Sequence, residues 1–432
     1  MLDRLVRPLT VALAMAMLLV LPTVHAAGEP PSTAVSERVV PLPGDDVPVR
    51  LQVEDLVSIT ADLSTEHVEV RWETSDGWSD WLHFSVSGDH APDAGTREER
   101  TFHPGISEPV WTGEVDAVEL RAHEAVDVTV ELVTMTGGLG YRADATPPAS
   151  AEAFGVWPPI VPRTAWDPNG DCEPTSSPDV SPTAERIFVH HTAIFPDYPP
   201  EAGDDVVRAV CLGHVKNRGF SDVGYNFLID RYGVIYQGRE GGILRAVDGA
   251  HAQGFNSGSV GIALVGDFHA NGVPAEAARA LDTLATWLAD LHDIDPLGRG
   301  HATSTGGDST RFPEGFVVDL PNVLGHRDTG RNTACPGDHL FDIVRGERPM
   351  APRVRNRLTH EFGWPALDET VMDPAAPPAP TTPPASPALP PSPPSSDAAE
   401  LVREVVDGVG GSDVLTLVTR VLSSRGHAPV GR

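Results

Sequence analysis

Residues 324–337 read LGHRDTGRNTACPG, and the rest of the chain is best read outward from them. The stretch sets His326 nine positions before Cys335, with Pro336 and Gly337 directly after the cysteine. Imidazole nitrogen and thiolate sulfur are ligand types that zinc prefers, and two such residues on one short loop can reach a single ion. A third ligand must come from elsewhere. The candidate lies in 187–193, IFVHHTA, where Ile187, Phe188 and Val189 read as a buried strand ending at His190 and His191. Successive strand residues face opposite ways, so the two histidines are not expected on one ion, and chemistry alone does not choose between them. Two histidines and a cysteine leave the fourth tetrahedral position to water, which is the arrangement of a catalytic zinc. By spacing alone the signal is weak, because zinc signatures are usually local and this one is dispersed.

Between these two stretches the periodicity alternates between strand and helix. FSDVGYNFLID (220–230) and GVIYQGR (233–239) read as two strands around a turn at Asp230–Gly233, with Tyr225 at the entry of the first. GAHAQGFNSGSVGIALVGDF (249–268) ends in a buried strand over 260–265, and its glycine-rich first half carries His251 and Asn256. Val206, Val207, Val210, Cys211 and His214 fall at helical spacing over 204–215, where Asp204 and Asp205 suit a helix start. His214 is expected to be packed or hydrogen-bonded on that helix rather than to bind metal. A second amphipathic helix, Ala275 to His292, aligns Leu281, Leu284, Leu288 and Leu291. Residues 295–315 read as a long loop with His301 exposed in it.

Taken in order, IFVHHTA, FSDVGYNFLID, GAHAQGFNSGSVGIALVGDF and LPNVLGHRDTGRNTACPG resemble the successive motifs of the peptidoglycan recognition proteins, also called type-2 N-acetylmuramoyl-L-alanine amidases. The resemblance covers about Val161 to Phe341. It implies an α/β fold with a mixed central sheet flanked by helices, a Zn2+ cofactor, and hydrolysis of the amide between the muramic acid lactyl group and L-alanine of peptidoglycan. It selects His190, with His326 and Cys335, as the metal ligands. It places Tyr225 beside the zinc water, to orient it or stabilise the oxyanion, and Thr333 where family members carry threonine or lysine. It makes His251 and Asn256 plausible peptide contacts at the substrate groove. Arg163 and Trp166, in VPRTAWDPNG, resemble the entry motif. The interval from His326 to Cys335 is one residue longer than the commonest family form, so the loop is expected to bulge. Members that bind peptidoglycan without cutting it typically lose the cysteine; a non-catalytic recognition protein and a zinc peptidase of the stem peptide are the competing readings.

With Cys335 held by zinc, Cys172 and Cys211 are left to form a disulfide; the competing reading puts Cys335 in a disulfide with no metal. An exported chain suits the pairing. Residues 1–26 carry Arg4 and Arg7, an apolar core too short to span a bilayer, and a small-residue site at Val24–Ala26, the pattern of a secretory signal peptide. A secreted or cell-wall-associated monomer with no membrane attachment after cleavage is expected. A formal charge of −30, from 31 basic and 61 acidic residues, argues against nucleic-acid partners. An acidic substrate would then need local positive charge, for which Arg231, Arg239, Arg245 and Arg327 are available.

Flanking the catalytic region, residues 37–133 show short segments of period-two alternation such as HVEVRWE and DVTVELV, which predict a small all-β, sandwich-like domain. Its Trp72, Trp78, Trp81 and Trp111 read as core or cross-strand packing before sugar stacking. Residues 134–159 read as a linker, 160–364 as the amidase domain, 365–396 as a Pro-rich spacer, and 397–432 as a tail of undecided structure.

Overall fold

The computed structural model describes residues 32–366, apart from 63–67, 76, 85–89, 137–157, 194–197 and 270. The signal peptide, most of the linker, nearly all of the Pro-rich spacer and the tail lie outside the described residues.

The N-terminal part is all β, as its alternation requires. Strands β1 (Ser32–Leu42), β2 (Val49–Asp62), β3 (Val68–Thr74), β4 (Gly77–Trp78), β5 (Leu82–His83), β6 (Val110–Ala122) and β7 (Val126–Thr136) join in one antiparallel path ordered β1-β7-β2-β6-β3-β4, with β5 on β3. The strands therefore form one hydrogen-bonded path rather than two separate sheets. Register shifts in β2 near Leu56 let it pair β6 along one stretch and both β6 and β7 along the next, and such bulges bend a sheet. Alternate residues Val68, Val70 and Trp72 of β3 join Val40, Ile59, Leu120 and Val130 in a common core. Between β5 and β6 the described residues form a 3-10 turn at Glu98–Thr101 and a single bridge from Ile106 back to Asp62 at the end of β2.

The second sheet is mixed. Its strands are β8 (Ile160–Val161), β9 (Arg186–His191), β10 (Phe227–Ile229), β11 (Ile235–Gln237), β12 (Ser259–Leu264) and, after a separate ribbon, β15 (Val323–Gly325), in the order β15-β9-β12-β10-β11-β8. β15, β9, β12 and β10 run parallel, and β10 and β11 form the antiparallel pair read around Asp230. β9 and β12 are buried throughout, which is why they read as unbroken apolar runs. Helix α1 is the single turn Arg163–Trp166. α2 (Gly203–Leu212) passes into a π turn at Gly213–Asn217 and covers one face with Val206, Val207 and Val210. α3 (Ala275–His292), α4 (Asp338–Arg345) and α5 (Met350–Glu361) share the core of Ile187, Val189, Ile229 and Ile262.

One expectation is corrected here. The 295–315 loop contains β13 (Arg299–Thr303), which pairs with β14 (Val317–Pro321) as a two-stranded ribbon. RGHAT carries no apolar alternation, because its side chains are exposed or half-buried and need none. His301 is exposed, as expected.

The two parts share a core. Trp111 and Val133 of the β-domain pack in the same cluster as Val206, Val207 and Val210 of α2. Cys172 and Cys211 are disulfide-bonded, with Cα atoms 6.1 Å apart, and tie the loop before β9 to α2.

Candidate metal centre

β9 delivers the first ligand through strand alternation. Ile187 and Val189 face the α3 side, so Phe188 and His190 face the other, where His190 emerges at the strand's end. His191 turns back: its Nδ1 accepts a hydrogen bond from the Phe268 amide at 3.2 Å and faces Asp267. Burial, then the positive charge of neighbouring groups, pulls His191 down to about 3, so it is a neutral acceptor.

His326 and Cys335 close the loop that follows β15. His326 opens a 3-10 turn, its carbonyl accepts from the Thr329 and Gly330 amides at 3.0 and 2.9 Å, and the Arg327 amide donates to the Cys335 carbonyl at 2.8 Å. The backbone at Asn332 turns left-handed, with φ 59°. The interval expected to bulge thus takes the form of a tight turn plus one left-handed residue. Thr333 is half-buried, and its Oγ1 accepts the Cys335 amide at 3.0 Å.

A fourth group meets these three. His90, from the excursion between β5 and β6, stands 245 positions from Cys335 in the chain, yet its Nε2 lies 3.7 Å from Cys335 Sγ. His190 Nδ1 lies at the same 3.7 Å from that sulfur. Ligand atoms of His90, His190, His326 and Cys335 all lie within 4.8 Å of one another, and all four residues are buried. Zinc bonds of about 2.0 Å to nitrogen and 2.3 Å to sulfur at a tetrahedral angle separate the two donors by about 3.5 Å, so this donor set fits zinc in type and in spacing.

The surroundings hold the rings in a ligating orientation. His190 Nε2 lies 3.0 Å from His251 Nδ1, which leaves His190 Nδ1 directed at the cluster. Asn256 Oδ1 accepts the His251 and Ala252 amides at 2.7 and 2.8 Å and fixes that loop. A Cβ on Gly261 would collide with the His251 ring, so the strand beside it must be glycine. Expected as peptide contacts, His251 and Asn256 are both buried, one behind His190 and the other among backbone amides. Burial, reinforced by the neighbouring histidines, holds the His190 pKa well below its usual range, and burial first takes His251 to about 3. Neutral imidazole is the form that binds metal.

On the other side, Tyr225 is buried and its hydroxyl lies 3.1 Å from His90 Nδ1. Glu108 of the β-domain faces His90 Nδ1 at 3.5 Å and His214 Nε2 at 3.4 Å, and pairs with Arg218. Burial works against its ionisation, but Arg218, His214 and His90 outweigh it and hold the carboxyl well below the usual range. His214 also accepts the Gly224 amide at 3.0 Å.

Sequence reasoning brought together His190, His326, Cys335 and Tyr225 but missed His90 and Glu108. The only signal for His90 is a histidine outside any strand alternation, directly before Ala91, Pro92 and Asp93. Trp72 and Trp111 are core residues, while Trp78 and Trp81 carry guanidinium groups over their rings, Arg121 at 4.1 Å from the Trp81 centroid.

A profile of the N-acetylmuramoyl-L-alanine amidase family matches residues 181–338, and one of the Rv3811 N-terminal galactose-binding domain-like family matches 33–153. Peptidoglycan recognition protein 1 of Bos taurus is 31% identical over 43% of this chain and 82% of its own length. Human N-acetylmuramoyl-L-alanine amidase is 29% identical over 56% of this chain and 36% of its own. Among solved structures, Drosophila PGRP-LB aligns over 44% of this chain and 95% of its own, with 28% identity and a TM-score of 0.34.

Proposed function

Since the chain belongs to the family of peptidoglycan recognition proteins and type-2 amidases, we propose that it is an exported, zinc-dependent N-acetylmuramoyl-L-alanine amidase that cuts the amide between the lactyl group of muramic acid and L-alanine. The observation that carries this reading is the convergence of His190, His326 and Cys335, with Tyr225 beside them.

Zinc in that site would supply a Lewis acid for the scissile carbonyl and lower the pKa of water to about 7. His190, His326 and Cys335 would hold it, and a single thiolate among neutral imidazoles leaves the ion net positive. His251 fixes the His190 ring through Nε2 and so keeps Nδ1 aimed at the metal. The Tyr225 hydroxyl lies at the cluster, and its hydrogen suits the oxygen that gains charge as the amide is attacked. Thr333 holds the Cys335 amide with its oxygen, which leaves its own hydroxyl hydrogen to donate towards the substrate. The Cys172–Cys211 disulfide suits an oxidising compartment, in line with cleavage of the leader at 1–26 and action as a secreted monomer on the cell wall. The proposed layout is a β-domain at 37–133, a linker at 134–159, the amidase at 160–364, a spacer at 365–396 and a tail beyond.

The test is digestion of purified peptidoglycan by the mature chain and by Cys335→Ser, scoring sugar-free stem peptides with a new N-terminal alanine alongside bound zinc. Peptide release that falls at least about 100-fold in the variant, together with loss of metal, is the expected result. Binding without release, both by the mature chain and by a variant with His90 replaced by alanine, would make the chain a recognition protein. Cleavage within the stem would make it a peptidase.

A further inference from the structure

The amidase reading requires a fourth metal position for water, and here a nitrogen of the β-domain stands in it. We propose that His90 is a removable fourth protein ligand, that the segment from His90 to Thr101 is an inhibitor built into the chain, and that the amidase is held at reduced activity until that segment leaves.

Three independent contacts carry this. First, His90 is oriented as ligands are oriented. Its Nε2 faces Cys335 Sγ at 3.7 Å, and its Nδ1 is engaged by the Tyr225 hydroxyl at 3.1 Å and faced by Glu108 at 3.5 Å. A carboxylate behind an imidazole is the usual support of a metal ligand. His90 also engages the hydroxyl that the amidase reading assigns to the substrate oxygen.

Second, the segment that follows places carboxylates and carbonyls on the polar groups around the site. Asp93 Oδ1 accepts the Gly254 amide at 2.7 Å and Asn256 Nδ2 at 2.8 Å. The Ala91 and Pro92 carbonyls accept Asn256 Nδ2 and Gln253 Nε2, each at 3.0 Å. Glu98 takes the Ser221 amide at 2.7 Å and the Arg239 guanidinium. A stem peptide bearing carboxylates needs donors of this kind, and Arg239 is one the sequence offers to such a substrate. The segment thus answers these donors as an anionic peptide would.

Third, the surfaces are shaped for each other. Gly219 has φ 71°, and a Cβ there would collide with the Thr101 carbonyl. The Thr101 hydroxyl donates to the Gly219 carbonyl at 2.6 Å, and the His103 amide to the Arg218 carbonyl at 2.8 Å. The segment belongs to the excursion between β5 and β6, so it can withdraw while the long strands of the β-domain stay paired.

The inhibitory consequence rests on the amidase reading, but ligation by His90 does not, and the experiment separates them. The full chain, His90→Ala and His90→Cys are loaded with cobalt(II), and their absorption is followed as azide is added; the same proteins, zinc-loaded, are given peptidoglycan. The wild-type cobalt spectrum should not respond to azide, His90→Ala should respond, and His90→Cys should be closed again with a stronger thiolate-to-cobalt band. Peptide release should rise at least about tenfold in His90→Ala and not in His90→Cys. An azide response in the wild type equal to that of His90→Ala would overturn the proposal. So would wild-type release as fast as that of His90→Ala, with the amidase reading left standing. If His90→Ala opens the cobalt site yet releases nothing from peptidoglycan, the amidase reading fails, and with it the inhibitor, leaving His90 as a ligand of a structural zinc.

Discussion

His190 reaches the His/Cys cluster at the end of a strand paired on both sides, and Cys335 reaches it on a loop closed by its own backbone hydrogen bonds, whereas His90 lies between β5 and β6, outside the named strands. The first pair is placed by the mixed sheet and by the loop that leaves it after β15. His90 is placed by side chains: Tyr225 from the amidase part, and Glu108 on the same excursion, itself anchored by its ion pair with Arg218. The strand side of the cluster is therefore held by sheet and loop backbone, and the β-domain side by side-chain contacts, the side the inhibitor proposal requires to be removable.

The sharpest way to break that contrast is Glu108→Ala. It removes the buried carboxylate facing Arg218, His214 and His90, and losing one partner of a buried charge pair costs about 3–5 kcal/mol. Urea unfolding of the zinc-loaded chain should register that loss. A change below about 1 kcal/mol would mean that the β-domain is held by the shared apolar core around Trp111 instead.

A smaller effect is expected on the strand side. His251→Phe keeps a ring beneath His190 but removes the nitrogen that fixes it, and zinc affinity should fall roughly 10- to 100-fold in competition with a chelator while the fold is retained. Unchanged affinity would show that strand geometry alone orients His190.

The smallest effect concerns pH. Glu131 on β7 stands opposite Glu37 on β1, and burial first, then that like charge, raises its pKa to about 7. The folded chain then holds the proton more tightly than the unfolded chain does, so stability should decline as pH rises from about 4.5 to about 7. Glu131→Gln should flatten that decline between melting curves at pH 5 and pH 8. An equal decline in both proteins would place the pH sensitivity elsewhere.

Much of this was legible in one dimension. Buried parallel strands read as apolar runs because both faces are covered, so IFVHHTA announces both a strand and the histidine at its end. The helix at 275–292 follows from its leucine spacing. The ribbon at 299–303 was illegible because an exposed strand needs no apolar alternation. That His251 is buried behind His190 was illegible because a glycine-rich loop looks the same whether its glycines serve a turn or make room for a buried ring, as Gly249 does.

By itself, then, the sequence determined the central strands at 187–191, 227–229, 235–237 and 259–264, the helices at 203–212 and 275–292, the family, and three of the four residues that meet at the His/Cys cluster. The strands and helices are set by local periodicity, and the family and the choice of His190 by the resemblance of the motifs taken in order. Only the tertiary structure decided that the β-domain packs onto the site and that His90 joins His190, His326 and Cys335 there. Docking depends on the fit between surfaces distant in sequence, and that complementarity leaves no periodic trace in either segment.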